Sequence, residues 1–382
     1  MSGVIRFASV PILSHVEIEN YMCIERVSVD LGPFSVLIGA NDSGKTSFLT
    51  AVHGLSQLLA GAAAPGEARR DGRGAYAPRF AVNGVGTGQK GIRYRVACDP
   101  QTAEIVEEEV HVADLPALRR NGQGATNGSS SVSSSNWRPQ SSCVHWGFPD
   151  YAAAVRPLGS STMLRLSPDA VRRPSTGKDL QPDGGGLASV LANLALTARA
   201  RLADIEGGLA QLTQGRVVGV ATPDAGNGAY DLELVMASGV RVAASLVSTG
   251  VLYLLYVLTL VQSDSPPRII LMEEPENSVH PARLRELVEL LRGLTVDRPG
   301  RPACQLLVAT HSPYLLDACK PEEVLVFQRE GPGGWTTIRR PPADIDKKSL
   351  GLLLGELWGS YGESGLIEGA PTRALPTAEV KG

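Results

Sequence analysis

Apolar residues recur along this chain with two periods. Alternation from Leu13 to Ile18 (Leu13 with His15, Val16 with Ile18) predicts a strand, and a second short strand, Val27 to Asp30, leads through Gly32-Pro33 to the apolar run Phe34, Val36, Leu37, Ile38. That run reads as a buried strand, and Phe48, Leu49 and Val52 after it as a helix. Ile92, Tyr94, Val96 and Cys98 alternate, Asp99-Pro100 turns the chain, and Ile105 to Val112 returns, which predicts a β-hairpin. Leu187, Val190, Leu191, Leu194, Leu202, Ile205, Leu209 and Leu212 fall mostly at helical spacings and predict one long amphipathic helix. Arg216 to Leu246 reads as three strands, Val217 to Ala221, Tyr230 to Val235 and Val240 to Leu246, with turns at Asn227-Gly228 and Ser238-Gly239. An apolar helix, Val251 to Val261, follows, and then two short buried strands, Arg268 to Met272 and Gln305 to Ala309. No heptad run reaches coiled-coil length.

Two stretches lack a period. Gly61 to Lys90, rich in Gly, Ala and Arg, is expected to be loop or weak helix. Its arginines Arg69, Arg70 and Arg73, with Arg79, could form a DNA-facing strip, but loop solvation is the better explanation of them. Asn121 to Ser142 contains Thr126-Asn127-Gly128 followed by a serine-rich run and is expected to be a mobile surface loop. Trp137 and Trp146 beside it read as local packing rather than base-stacking platforms.

Composition narrows the class. With 382 residues and a net charge of −3, the chain can bury one large core or two smaller ones, and it advertises no global basic field for nucleic acid, which leaves room for a local basic face. The longest apolar stretch, Val251 to Val261, is about half of a membrane span, and the N-terminus has no signal-peptide core. Cys23, Cys98, Cys143, Cys304 and Cys319 form no C-x-x-C pair, as in a reduced, cytoplasmic protein with thiols as core filler.

The candidate chemistry lies at strand ends. Gly39-Ala40-Asn41-Asp42-Ser43-Gly44-Lys45-Thr46 fits G-x-x-x-x-G-K-[ST] between a strand and a helix. The glycines let backbone N–H groups point at phosphate oxygens, and the helix adds its positive end. Lys45 would hold the β- and γ-phosphates, and the Thr46 hydroxyl would ligate Mg²⁺. The strand Arg268 to Met272 ends in Glu273-Glu274-Pro275-Glu276, where one acid can complete the Mg²⁺ shell and another can polarise an attacking water. Gln305 to Ala309 ends in Thr310-His311-Ser312-Pro313, whose imidazole can sense a γ-phosphate. Ser248-Thr249-Gly250, before the apolar helix, is a helix start that can also bind an anion.

Together these residues resemble the ABC-type ATPase superfamily and, more narrowly, the AAA-family OLD-like ATPases, relatives of RecF and SMC-type heads. The resemblance covers Leu13 to about Arg340, with all motifs in order. Ile18-Glu19-Asn20-Tyr21 looks like the opening I-x-N-[FY], Gly39 to Thr46 like Walker A, Leu246 to Gly250 like the signature, Ile270 to Asn277 like Walker B, Ser278 to Pro281 like the D-loop, and Thr310 to Pro313 like the T-H-S-P switch. The resemblance implies an α/β P-loop NTPase head with a mixed central sheet, an antiparallel β-subdomain and a helical lid insertion. It implies ATP and Mg²⁺, with phosphate contacts from Gly39, Asn41, Ser43, Gly44, Lys45, Thr46 and Ser47 and metal ligation by Thr46 and Glu273. Catalysis would rest on Lys45, Glu274 as base and His311 as switch. Ser248 and Gly250 would reach the γ-phosphate of a second subunit in a head-to-tail homodimer.

The pattern is departed from at Met22, where relatives carry Arg or Lys, and at Thr249 and Tyr253 around the signature; a Q-loop glutamine is unassigned among Gln89, Gln140 and Gln181. OLD nucleases continue into a Toprim domain, for which this chain has no room after His311, so any nuclease or toxin effector is expected on another polypeptide. The expected layout is one head over 1–382: a nucleotide core in 1–60 and 262–345, a hairpin in 84–113, an insertion with a disordered Ser/Gly loop in 114–185, a lid and signature helix in 186–261, and a tail in 346–382. The leading expectation is an ATP-switched dimer for nucleic-acid surveillance, in defence against phage or in DNA repair. A transporter-type ATPase subunit and a scaffold with little turnover are the alternatives; no membrane contact is expected of the first.

Overall fold

In the computed structural model, six strands form the middle layer of the molecule, in the order Ser161–Leu164, Ile269–Glu273, Gln305–Thr310, Phe34–Gly39, Val324–Arg329 and Thr336–Arg339. The first five are parallel and the last closes an antiparallel hairpin, so the sheet is mixed as expected. The structure describes residues 11–369 apart from 66–69, 72–73, 122–123, 134–138, 263–266, 279–280, 298–301, 331–333 and 350.

Both faces of this sheet are buried, which explains why its strands read as unbroken apolar runs rather than alternating ones. Val36, Ile38, Ile270, Met272, Leu306 and Val308 point to one side. There they share a core with the helices Leu187–Thr197, Arg199–Leu212, Thr249–Val261 and Leu284–Leu294. Leu37, Ile269, Leu271, Leu307 and Ala309 point to the other, where the helix Lys45–Leu59 and an antiparallel sheet cover them. The lid helices are therefore a layer of the head, with a core continuous with the central sheet.

The second sheet has eight antiparallel strands, in the order Ser131–Ser133, Gly124–Thr126, Leu118–Asn121, Ile105–Val112, Gly91–Cys98, Arg79–Val85, Leu13–Tyr21 and Ile24–Asp30. The hairpin read from the alternation around Asp99-Pro100 lies at its centre. Two sequence expectations are corrected here. Gly61 to Lys90 is not all loop or weak helix: Arg79–Val85 is a strand that buries Phe80 and Val82 between two long neighbours. The stretch Asn121 to Ser142 is not simply a disordered loop. Gly124–Thr126 and Ser131–Ser133 pair across a turn in which Asn127 Oδ1 accepts from the N–H groups of Ser129 (3.1 Å) and Ser130 (2.8 Å). Ladder bonds to a neighbouring strand hold a segment whose side chains bury little. Arg69, Arg73 and Trp137 lie outside the described residues, Arg79 is exposed, and Trp146 packs locally, with the Arg120 guanidinium 5.5 Å from its ring centre.

A third correction concerns the long amphipathic helix, which is two helices broken at Ala198 (φ −147°, ψ 59°). Thr197 Oγ1 donates to Asn193 O at 2.7 Å, a back-bond that bends helices, and the two halves both pack on Thr249–Val261. The strand expected over Tyr230 to Val235 is likewise divided: Ala229–Tyr230 pairs with Asp224–Gly226, while Glu233–Met236 pairs with Val217–Ala221 and Arg241–Ala243. Ala244–Leu246 is a single 3₁₀ turn instead of strand.

The antiparallel sheet carries a buried charge pair. Glu108 Oε1 accepts from Tyr94 Oη at 2.7 Å and from Ser142 Oγ, and Oε2 accepts from Cys143 N at 2.9 Å. Arg120 sits 3.8 Å from Glu108 and donates to Ser141 O (2.7 Å) and Pro139 O (2.9 Å), so the pair staples the chain at 139–143 to the sheet. Burial and the carboxylate beside it hold the Tyr94 hydroxyl protonated, its pKa pushed well up. Removing one partner of such a pair strands the other charge in the core. Glu108→Ala is expected to cost about 3–5 kcal/mol of unfolding free energy, measurable by urea denaturation followed by circular dichroism; a change within error of zero would show that the pair contributes nothing.

Candidate nucleotide site

The parallel register decides what meets at the upper edge of the central sheet. Glu273 pairs with Ala309, and Thr310 with Ile38, so the strands ending at Gly39, Glu273 and Thr310 finish side by side. Ligands bind at such carboxyl ends in open α/β sheets. A cleft of about 810 Å³ opens there, lined by Asn41, Ser43, Lys45, Thr46, Glu273 and His311 among others. Glu274, Gly44 and Ser47 line the same cleft.

Two glycines are required by the close packing of the loop. A Cβ on Gly39 would lie 2.2 Å from Phe327 O, and Gly44, at φ +104°, would place one 2.4 Å from Thr336 Oγ1. The helix then starts at Lys45, which puts its unpaired N–H groups and positive end at the cleft. Lys45 Nζ donates to Gly39 O and Ala40 O, both at 2.8 Å, and to Ser43 Oγ at 3.4 Å. Burial lowers the pKa of this amine to about 8, against the opposing pull of Glu274, Glu363, Asp42 and Glu273.

The acidic turn divides its labour by position. Glu273 Oε1 is buried with no hydrogen-bond partner, while Oε2 faces Arg165 Nε at 3.4 Å. Glu274 adopts φ +46°, unusual for a side chain this size, with its N–H bonded to Ala309 O at 2.8 Å. Backbone held in such a sparse region costs free energy and collects at functional sites. Glu274 Oε1 stands 3.7 Å from His311 Nε2. Glu276 braces the switch strand: its Oε1 accepts from Thr310 Oγ1 and from His311 N at 3.2 Å. His311 has its pKa lowered, first by burial and then by the Lys45 charge, so its imidazole is neutral at neutral pH and carries one N–H to offer.

Comparisons with known proteins bear on the fold and on two segments of the chain. Residues 179–317 match the family described as "AAA domain, putative AbiEii toxin, Type IV TA system", and residues 12–59 match "AAA ATPase domain". The chain is similar in fold to an SMC head solved bound to the C-terminal winged-helix domain of ScpA, with a TM-score of 0.56, 11% identity, and 88% of this chain and 100% of that one covered. It is also similar to the SMC head with an extended coiled coil bound to the C-terminal domain of ScpA derived from Pyrococcus furiosus, with a TM-score of 0.52, 11% identity, and coverage of 88% and 98%. The search of curated proteins finds no match.

The fold is that of an SMC-type head, and two of its segments match AAA-family models.

Within this head, Ser248 and Gly250 are not brought to the P-loop cleft of their own chain. Ser248 precedes the helix Thr249–Val261, is exposed, and makes no capping bond with its side chain. Arg172 secures the segment by donating to Val247 O and Thr249 Oγ1, each at 3.1 Å, while Leu246 stays 80% exposed. Val279 and His280 of the D-loop lie outside the described residues. None of Gln89, Gln140 and Gln181 lines the cleft. Gln140 Nε2 donates to Thr102 O at 2.8 Å in the β-subdomain, and Gln181 O accepts from Tyr256 Oη at 2.6 Å. The residue that follows the strand next to Glu273 is instead Arg165.

Sequence reasoning missed Arg165, Glu276 as a brace, Arg329 on the cleft wall and Glu363. Arg165 follows a strand of four residues with no motif, too short for a period to show. Arg329 and Glu363 arrive from elements far along the chain, and no local signal marks them.

A charge on Lys45 that is lost near pH 8 has a consequence for anion binding. Affinity of the P-loop for a triphosphate should fall as pH rises through about 8, because the free amine binds its proton less tightly there than in an exposed lysine. Between pH 8 and pH 10 the loss should approach about tenfold per unit, read by fluorescence titration with a labelled ATP. A flat profile from pH 7 to 10 would show that Lys45 keeps its proton.

Proposed function

We propose that this head binds and hydrolyses ATP, and that two copies close head-to-tail around it. The observation that carries this reading is the convergence, on one P-loop cleft, of a strained carboxylate, Glu274, and a neutral imidazole, His311, 3.7 Å apart. The fit to the metal is supported by the donor set. Glu273 has a buried oxygen without a partner, and the Thr46 hydroxyl lines the same cleft. One carboxylate and one hydroxyl suit Mg²⁺, which takes its other ligands from water and phosphate.

Each residue then has one task. Backbone groups from Gly39 to Ser47, with Asn41, Ser43 and Gly44 in the curl, hold the phosphates, and Lys45 leaves its carbonyl partners to neutralise β- and γ-oxygens. Thr46 and Glu273 would hold Mg²⁺, which would neutralise charge on the phosphates. Glu274 accepts the proton of the attacking water. His311 donates to the γ-phosphate and reports its presence through the strand end it terminates. Ser248 and Gly250 serve the partner's γ-phosphate, which accounts for an exposed helix start with Leu246 beside it. Such a dimer suits a sensor or motor acting with a separate effector, a nuclease or toxin, in defence or DNA repair. The toxin–antitoxin wording of one matched family supports the defence context, and the partner-bound SMC heads support a protein partner.

Lys45→Ala should abolish ATP binding. Glu274→Gln should retain binding and lower turnover by about 10²–10⁴-fold, trapping an ATP-bound dimer; mass measurement and a phosphate-release assay read both. Wild-type turnover in Glu274→Gln would remove the base from the scheme, and a persistent monomer would remove the dimer. Ser248→Arg should block closure by bulk while the separate subunit keeps its ATP affinity.

A further inference from the structure

The C-terminal helix Leu354–Glu368 returns to the P-loop from the end of the described chain. Leu354, Leu357 and Leu366 bury it in the lid-side core. Gly355 N donates to Asp317 Oδ1 at 2.8 Å, which seats the helix on the turn Pro313–Leu316 that follows the switch His311. The helical path breaks at Gly362, at φ +61° and ψ −147°, a conformation open to glycine, and the last turn is thereby re-aimed. The next residue, Glu363, reaches the P-loop, where its Oε1 accepts from Ala40 N at 3.0 Å.

Ala40 therefore bonds two groups of opposite charge through its backbone. Its carbonyl accepts from Lys45 Nζ, and its N–H donates to Glu363. Glu363 is also one of the carboxylates whose field favours the Lys45 proton. The terminal phosphate of a bound triphosphate belongs at the Lys45 amine, and it would bring further negative charge to the residue that Glu363 already holds. A diphosphate lacks that group. Repulsion between carboxylate and phosphate thus falls more heavily on ATP than on ADP. The relief available is movement of the re-aimed turn, which belongs to the helix seated behind the switch.

We propose that Glu363 is a specificity-determining residue that reads the terminal phosphate: it disfavours the triphosphate relative to the diphosphate, and a bound triphosphate loosens the C-terminal helix. This rests on the assignment of the P-loop cleft as a nucleotide site and adds to it a residue and an element outside every motif in the sequence. Glu363 acts on the phosphate through charge at the P-loop and takes no part in proton transfer.

The test uses the full chain, with AMP-PNP as the triphosphate probe and ADP as the diphosphate. Glu363→Gln keeps an acceptor for Ala40 N–H and removes the charge. It should bind AMP-PNP about threefold tighter or more, with a smaller change for ADP, so that the ratio of the two affinities rises. Hydrogen exchange on the wild type, which needs no variant to fold, should show faster exchange over 354–368 with AMP-PNP than with ADP. Equal AMP-PNP affinity in the variant and wild type, or exchange over 354–368 that does not distinguish the nucleotides, would overturn the inference while leaving the nucleotide site intact. Failure of the wild type to bind either nucleotide would overturn the nucleotide site itself, and the inference with it.

Discussion

Parallel pairing of the three strands that end at Gly39, Glu273 and Thr310 is the constraint from which the site follows. Each strand is buried on both faces, and each side chain alternates between the lid-side core and the core under the antiparallel sheet. A slip of one residue would exchange those faces for a whole strand and move an acid or a glycine off the edge. Packing on two sides therefore holds the register, and the register holds the chemistry. The strand ending at Gly39 lies more than two hundred residues before those ending at Glu273 and Thr310, so no local interaction could bring it to them.

Once assembled, the edge concentrates like charge. Glu273, Glu274 and Glu363 all act on Lys45, whose burial opposes its own proton. One oxygen each of Glu273 and Glu276 is buried without a partner, and Glu274 is held in a sparse backbone conformation. These features cost free energy in the folded chain and are sustained by the surrounding layers. A site for a polyanion and a divalent cation would draw on the same features: single carboxylate oxygens left unbonded on Glu273 and Glu276, a lysine parked on carbonyls it can leave, and an imidazole kept neutral by burial and a neighbouring charge.

The antiparallel sheet shows how a segment of weak sequence can be ordered by its neighbours. The serine-rich turn has little to bury, but it extends a sheet edge and closes on Asn127. Arg120 and Glu108 then tie the chain after it back to the sheet beneath. That subdomain covers the helix that begins at Lys45, so its order bears on the P-loop through the shared core.

The sequence by itself determined the local chemistry and most of the core. The G-x-x-x-x-G-K-T turn, the acid pair after an apolar run and T-H-S-P are each contiguous, and a contiguous motif needs only its own residues to be legible. The hairpin around Asp99-Pro100 was legible for the same reason, since alternation and turn lie within one short window. Tertiary structure alone decided the rest. The break at Ala198 is invisible to apolar spacing because both halves keep a buried face. The strand Arg79–Val85 hides in a glycine- and arginine-rich stretch because its order comes from two neighbouring strands. Arg165 meets Glu273, and Glu363 meets Ala40, across 108 and 323 residues of chain. Charge and hydrogen bonding act through space, and only the folded layers bring those groups within reach.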